Sequence, residues 1–351
     1  MILTGLAYSI QPEPIYDTNT TTGLENIAIQ TPSQRVHHSR EFNLSFTFES
    51  EKSRPVTLVL SPNHDLMLQD PHVRFFDAHG ESRTELLKRD QHRVFRGVVL
   101  TESTAFKWEK VGWARINVVR DGVDPLFTGT FSISGVEYDI NLERDHDRPS
   151  GSRMMVRHTA STPSTLPNPV WTGPLEMFKR QWSPTLYADD LVDTIGQTEG
   201  CPNERQIALV GIATDCTYTA DYDSSEELVQ SLVTMVNTAS EVFESAFNIA
   251  LSFHNLSISD AGCNSPSNNE SWDVPCSGEG MDFRLRAFSE WRSALEDDAN
   301  AYWTLMTGCS SDSEVGISWV GELCNEMGVN VVARASNQWQ VFAYEPFMSP
   351  K

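Results

Sequence analysis

The chain has 351 residues, 26 of them basic and 48 acidic, with a net charge of −22 and 39% hydrophobic residues. This length accommodates two domains of ordinary size, each with its own core. The acidic balance argues against nucleic acid and anionic membrane surfaces, which are bound mainly through Lys and Arg, and no run approaches the ~20 apolar residues of a membrane span.

Residues 1–40 are polar and irregular. The start, Met1-Ile-Leu-Thr-Gly-Leu-Ala-Tyr-Ser9, has no positive leader region and only a short apolar run, so it makes a poor or truncated signal peptide. Residues 41–145 read as an antiparallel β domain. Phe42 to Phe48 alternates apolar and polar residues, and Val56–Leu60, Val94–Leu100, Trp113–Val119, Phe127–Ile133 and Val136–Ile140 are strand-like. Ser134-Gly135 between the last two is a two-residue hairpin signal.

Residues 146–200 form a linker by composition, with prolines at 149, 163, 167, 169, 174 and 184. Within it, Lys179-Arg180 is a dibasic pair of the kind a processing protease cuts. Lys88-Arg89 reads instead as an ordinary solvated pair.

From residue 201 to 351 strands and helices alternate. Gln206–Ala213 is a continuous apolar run, the mark of a buried strand. Ser224 and Glu227 fit a capping box. Leu228, Leu232, Met235, Val236, Ala239, Val242, Phe243 and Ala246 make one helical stripe. Ile249–Ile258 is a second strand, and Met281, Leu285, Phe288 and Leu295 mark a second helix. Tyr302–Met306, Gly316–Val320 and Val329–Ala333 supply three more strands. This order predicts a mainly parallel twisted sheet with helices packed on it.

All six cysteines, Cys201, Cys216, Cys263, Cys276, Cys309 and Cys324, fall in this second half. An even set confined to one half suggests disulfides and an oxidising compartment. Connectivity stays open, with local pairs (201–216, 263–276, 309–324) as the expectation. Sequons at Asn19, Asn43, Asn255 and Asn269 point to secretion and glycosylation.

Several segments together resemble the ADAM (adamalysin or reprolysin) zinc metalloproteases of fungal type. They are Ala208–Thr219, Asn237–Ser240, Asn248–Leu251, Leu256–Ala261, Phe288–Arg292, Asn300–Leu305, Gly316–Cys324 and Trp339–Ala343. Residues 129–140 look like the propeptide of that family. The resemblance implies a β-rich propeptide-like domain and then a truncated upper part of the peptidase domain, a twisted five-stranded mixed sheet with helices. It implies secretion, a protein or peptide substrate laid along the edge strand near Gly316–Val320, and a catalytic Zn²⁺.

The family motif is H-E-x-x-H-x-x-G-x-x-H, in which two histidines one helical turn apart and a third hold zinc, and the Glu is general base. Here Tyr344 stands at the first His, Glu345 at the general base, Met348 at the second His and Lys351 at the Gly. Pro346 breaks a helix at that point. His254 is the one histidine after residue 158, so residues 201–351 supply no three-imidazole set, and Glu345 reads as a solvated carboxylate. The family often silences its zinc with a propeptide cysteine, but residues 1–200 contain none, so inhibition would act by packing over the cleft. Three readings follow: a zinc metalloendopeptidase with an interrupted reading frame, inactive as written; a pseudo-protease binding extended peptides or partner proteins through its edge strand; or a non-functional product.

Overall fold

The computed structural model describes residues 7–10, 21–48, 55–77, 82–102, 107–145, 151–159, 202–260, 263, 271–276, 280–296, 298–309, 316–319 and 322–334. In chain order the strands of the first half are β1 (Ala7–Ile10), β2 (Thr21–Gly23), β3 (Glu25–Ile29), β4 (Phe42–Thr47), β5 (Val56–Pro62), β6 (His72–Phe76), β7 (Ser82–Leu86), β8 (Val94–Glu102), β9 (Trp108–Arg120), β10 (Leu126–Ile133), β11 (Val136–Arg144) and β12 (Ser152–Thr159). The second half carries β13 (Gln206–Thr214), the short helix α1 (Cys216–Thr219), the long helix α2 (Ser225–Phe247), β14 (Ile249–Ser259), α3 (Met281–Ser293), β15 (Tyr302–Thr307), β16 (Gly316–Trp319) and β17 (Val329–Ala333).

The first sheet has nine antiparallel strands in the order β2-β12-β11-β10-β9-β8-β5-β4-β3. Its two ends are β2 and β3, consecutive pieces of one extended segment joined through Leu24. The sheet therefore closes on itself, which removes its open edges. Alternation places Ala114, Ile116 and Val118 inward and Arg115 and Asn117 outward. The interior is filled by rings: Phe46 meets Phe131 edge-on at 5.5 Å, and Phe131 stacks on Tyr138 at 5.2 Å. The predicted hairpin forms as read, with Ile133 opposite Val136 and both turn residues at positive φ, Ser134 at 52° and Gly135 at 84°.

The second sheet runs β1-β16-β17-β15-β13-β14-β6-β7. The five strands of the second half are there as their patterns predict. Four are mutually parallel, and β16 is antiparallel to β17. The sheet has eight strands rather than the five the resemblance implies. The reason is pairing over long sequence distance. The β6–β7 hairpin leaves the first sheet between β5 and β8 and adds to β14 in parallel, with Asn255 opposite His72. At the other end β1 pairs with β16.

α2 lies between the two sheets. Its N-terminus is capped by Ser224, whose hydroxyl accepts from the N–H of Glu227, while the Glu227 carboxylate accepts from the N–H of Asp223. Asn248 ends it in the left-handed conformation. The stripe Leu228, Leu232, Val236, Ala239 and Phe243 is buried against β13 and β14, in a core that also takes Leu66, Met67, Val73 and Phe75 from the first half. The opposite, polar stripe meets the outer face of the first sheet. Asn117 and Thr128 bond to Thr234 (3.1 and 3.2 Å), Thr238 to Thr130 (3.2 Å), and Arg115 to Glu241 (2.6 Å).

Candidate functional site

The parallel strands β13, β14, β15 and β17 end at one margin of the sheet, at Thr214, Ser259, Thr307 and Ala333. In open α/β sheets ligand crevices lie outside such carboxyl ends. Here that margin holds a closed ionic cluster. Asp215, fully buried, caps α1: its Oδ1 accepts from the N–H of Tyr218 (2.8 Å) and the hydroxyl of Thr217 (2.6 Å). Its Oδ2 accepts from Arg284 of α3 at 2.9 Å. Arg284 also donates to the carbonyls of Val274 (2.8 Å) and Pro275 (3.1 Å). Asp273 accepts from the N–H of Cys216 (2.7 Å) and from the hydroxyl of Ser259.

Two disulfides among the described residues bracket this cluster, Cys216–Cys263 and Cys276–Cys309. The expected local pairs are thus corrected. Because β13 and β14 are parallel neighbours, with Thr214 opposite Ile258, their chains emerge side by side and Cys216 meets Cys263. Cys276 lies just before α3 and Cys309 just after β15, where Arg284 donates to the Cys309 sulfur at 3.0 Å. Cys324 is exposed and carries no bridge to another described residue.

Burial pushes the Asp273 carboxyl up to about 6, with the bonds from Ser259 and Cys216 opposing and the neighbouring Asp215 adding to the rise. Burial likewise raises Asp215, against Thr217, Thr307 and Arg284, and lowers Arg284. A carboxyl whose folded pKa lies above its unfolded value of 3.8 contributes stability fully present below 3.8 and lost as pH rises through about 6. Asp273→Asn is therefore expected to gain on the parent chain as pH rises from about 3 to 7, by up to about 3 kcal/mol for a shift of roughly two units, about half of it above pH 5. Urea midpoints at a series of pH values check this. Parallel curves for the two proteins would refute it.

A second set of polar groups lies along the edge that the resemblance assigns to substrate. Odd-numbered residues Trp303, Leu305, Ile317, Trp319, Val329 and Val331 pack against α3. On the opposite face Thr304, Asn330 and Ser318 stand in one row across β15, β17 and β16, directly opposite one another. All three are buried, and the Thr304 and Ser318 hydroxyls and both ends of the Asn330 amide have no hydrogen-bond partner among the described residues.

Among the described residues no group of three or more His, Cys, Asp or Glu is arranged to hold a metal ion. His254 is half-buried, with its Nδ1 3.1 Å from Asn300 Oδ1. The described side chains do not fit a zinc centre. Glu345, with Tyr344, Pro346 and Met348, lies outside the described residues, as do Lys179, Arg180, Cys201, Asn19 and Asn269. Asn43 sits half-buried in β4. Asn255 sits half-buried in the interior strand β14.

The clustered residues Asp215, Asp273 and Arg284 were missed by pattern reading. One signal was available: Arg284 and Arg292 both fall on the apolar stripe of α3, beside Met281, Leu285 and Phe288. A charge on a buried stripe needs a buried partner. Arg292 finds Asp298 (3.1 Å) and the carbonyls of Asn300 (2.9 Å) and Gly328.

Residues 204–346 match the model of the reprolysin-like metallopeptidase family M12B. The chain is 34% identical to disintegrin and metalloproteinase domain-containing protein B of Aspergillus fumigatus, over 92% of this chain and 50% of the relative. It is 32% identical to the protein of the same name from Arthroderma otae, over 93% and 50%. Over residues 204–346 the chain matches the reprolysin-like M12B family. This reprolysin-like chain spans about half the length of the curated relatives it matches. Metalloproteinase-II from Bacteroides fragilis is a distant structural neighbour, with 10% identity and a TM-score of 0.39 over 87% of this chain and 79% of that one.

Proposed function

We propose that residues 1–351 comprise the propeptide-like part and the upper, sheet-bearing part of the peptidase domain of a secreted ADAM-type zinc metalloendopeptidase, and that this stretch by itself cleaves no peptide bond. The observation that carries the reading is the substitution of Tyr344 and Met348 at the two motif positions where imidazoles bind zinc, beside a retained Glu345. A general base without a metal-bound water has nothing to activate. Family kinship supports the peptidase ancestry and a protein or peptide substrate. Two disulfides support an oxidising compartment, and no helix among the described residues is long and apolar enough to cross a membrane. Processing at Lys179-Arg180 and glycosylation at Asn19, Asn43 or Asn269 belong to the same proposal. Asn255 is the weakest acceptor, since a glycan needs a surface loop and this residue is in an interior strand.

The purified 351-residue chain, supplied with Zn²⁺ and a mixture of quenched fluorescent peptides, is expected to show no chelator-sensitive turnover and substoichiometric zinc by atomic absorption. One zinc per chain with phenanthroline-sensitive cleavage would overturn the proposal. Sequencing the transcript past codon 345 tests the ancestry separately, because a frame encoding His-Glu-x-x-His would restore the enzyme.

A second reading, a pseudo-protease that binds extended peptides, is favoured by one observation: the outer edge of β16 accepts a strand, β1, from elsewhere in the chain.

A further inference from the structure

The second sheet has β7 at one of its two ends. β7 pairs with β6 without a register break, Thr84 opposite Arg74, and no described strand pairs with its other side. All five of its residues, Ser82-Arg83-Thr84-Glu85-Leu86, are exposed. Such an edge is a row of backbone donors and acceptors open to another strand, and proteins commonly blunt it with proline, a bulge or lysines. β7 has no proline, no bulge and no lysine, and its two charges are of opposite sign. Its one large apolar side chain, Leu86, is 55% exposed.

The sequence of β7 is complementary to itself. Two copies that extend a sheet across a two-fold axis normal to it pair antiparallel with like faces together, so residues of the same parity meet. With Thr84 on the axis, Arg83 of each copy lies opposite Glu85 of the other, Thr84 opposite Thr84, and Ser82 opposite Leu86. A slip of two residues either way sets Arg83 on Arg83 or Glu85 on Glu85. Opposite charges and Thr–Thr pairs across a strand pair are favourable and like charges are not, so the pattern selects one register. Arg83 is already positioned: its guanidinium lies 4.1 Å from the centroid of the Phe75 ring, with Glu85 at 3.1 Å and Asp260 at 3.5 Å. The Arg83 and Glu85 side chains are still 58% and 60% exposed, which leaves each a side for the other copy.

We propose that Ser82–Leu86 is a self-association edge, at which a second copy of this chain pairs antiparallel about Thr84 and joins the two sheets end to end. Five residues bury less than a standard interface, so the dimer is transient and concentration-dependent. The charges fix register and exclude other partners more than they add affinity. The net charge of −22 opposes association, but repulsion between distant surface charges is screened beyond about 8 Å at physiological ionic strength.

The experiment uses the full chain at physiological ionic strength. Sedimentation equilibrium over roughly a hundredfold range of concentration is expected to show a reversible dimer. Arg83→Glu and Glu85→Arg each place two like-charged pairs across the axis and are expected to weaken the dimer by about tenfold or more. The swap Arg83→Glu/Glu85→Arg returns opposite charges to the same positions and is expected to recover most of the affinity. Arg83→Glu also gives up the Phe75 contact, so Glu85→Arg, which leaves it in place, serves if that variant fails to fold. Directly opposed residues of an antiparallel pair have Cα atoms about 4.5–5.5 Å apart, within reach of a disulfide. In a Cys324→Ser background, Thr84→Cys is therefore expected to give a covalent dimer on oxidation, and Leu86→Cys, which faces Ser82, is not. A parent that stays monomeric leaves the edge to a different chain and overturns the proposal. So do single reversals that dimerise like the parent, a folded swap that recovers nothing, or cross-linking no faster through Thr84→Cys than through Leu86→Cys.

Discussion

Arg284→Met is expected to lower the stability of the chain by about 3–5 kcal/mol, read as a fall in the urea midpoint with an unchanged slope. The side chains of Arg284 and Asp215 are 1% and 0% exposed. Methionine replaces the volume but leaves Asp215 buried without its cation, and frees the carbonyls of Val274 and Pro275. An uncompensated buried carboxylate costs far more than the pair contributes when intact. The same logic supplies a control. Asp215→Asn removes the charge and retains an oxygen that can cap α1 through Tyr218 and Thr217. The double variant Asp215→Asn/Arg284→Met is therefore expected to recover part of the loss, and the deficit of the single variant should shrink at low pH, where Asp215 takes up a proton. A loss below about 1 kcal/mol, or no recovery in the double variant, would mean that the pair does not carry the margin of the sheet.

What could be read from the sequence was local. The continuous apolar run of β13, the 3.6-residue stripe of α2, its capping box at Ser224 and Glu227, and the Ser134-Gly135 hairpin each depend on residues within a few positions. Each has one low-energy solution. What could not be read was pairing between distant strands. Nothing in His72–Phe76 distinguishes a strand that stays beside β5 from one that joins β14, because both environments reward the same alternation. The closure of the first sheet through 21–29 is invisible for the same reason. Cysteine connectivity follows from that topology: Cys216 meets Cys263 only once β13 and β14 are known to be parallel neighbours. The ionic cluster was half legible, since Arg284 on an apolar stripe announces a buried partner without naming it. For the family motif, the residue types at 344–348 carry the functional argument, and they are a matter of sequence alone.

The seam between the two sheets is expected to depend on Arg115 to a degree few surface charges reach. Arg115 points outward from the first sheet yet is 2% exposed, because α2 covers it. Its guanidinium reaches Glu241 at 2.6 Å and Glu244 at 3.1 Å. Glu244 also has Arg205 at 3.0 Å and Arg96 at 3.5 Å, whereas Glu241 is paired with Arg115. Arg115→Met is thus expected to strand Glu241 in particular and to destabilise the chain by about 3 kcal/mol, the lower part of the range for breaking a buried pair, because both carboxylates keep some contact with water. Arg120→Met, which breaks the half-exposed Arg120–Asp124 pair, should cost less than about 1 kcal/mol. The loss at Arg115 should also be local. Hydrogen exchange is expected to rise along the polar stripe Thr234–Glu244 of α2 before it rises in the strands of the first sheet, since the two cores are separate. Acid should act on the same seam. Burial tends to raise Asp65, but Arg205 and Arg96 outweigh it and hold its carboxyl below 3.8. A depressed carboxyl contributes stability present above 3.8 and lost as pH falls through its folded value. Faster exchange at the seam below pH 4 in the parent chain, and already at neutral pH in Arg115→Met, is the expected pattern. Uniform loss of protection across both cores would show that the two sheets unfold as one unit and that Arg115 holds no separable joint.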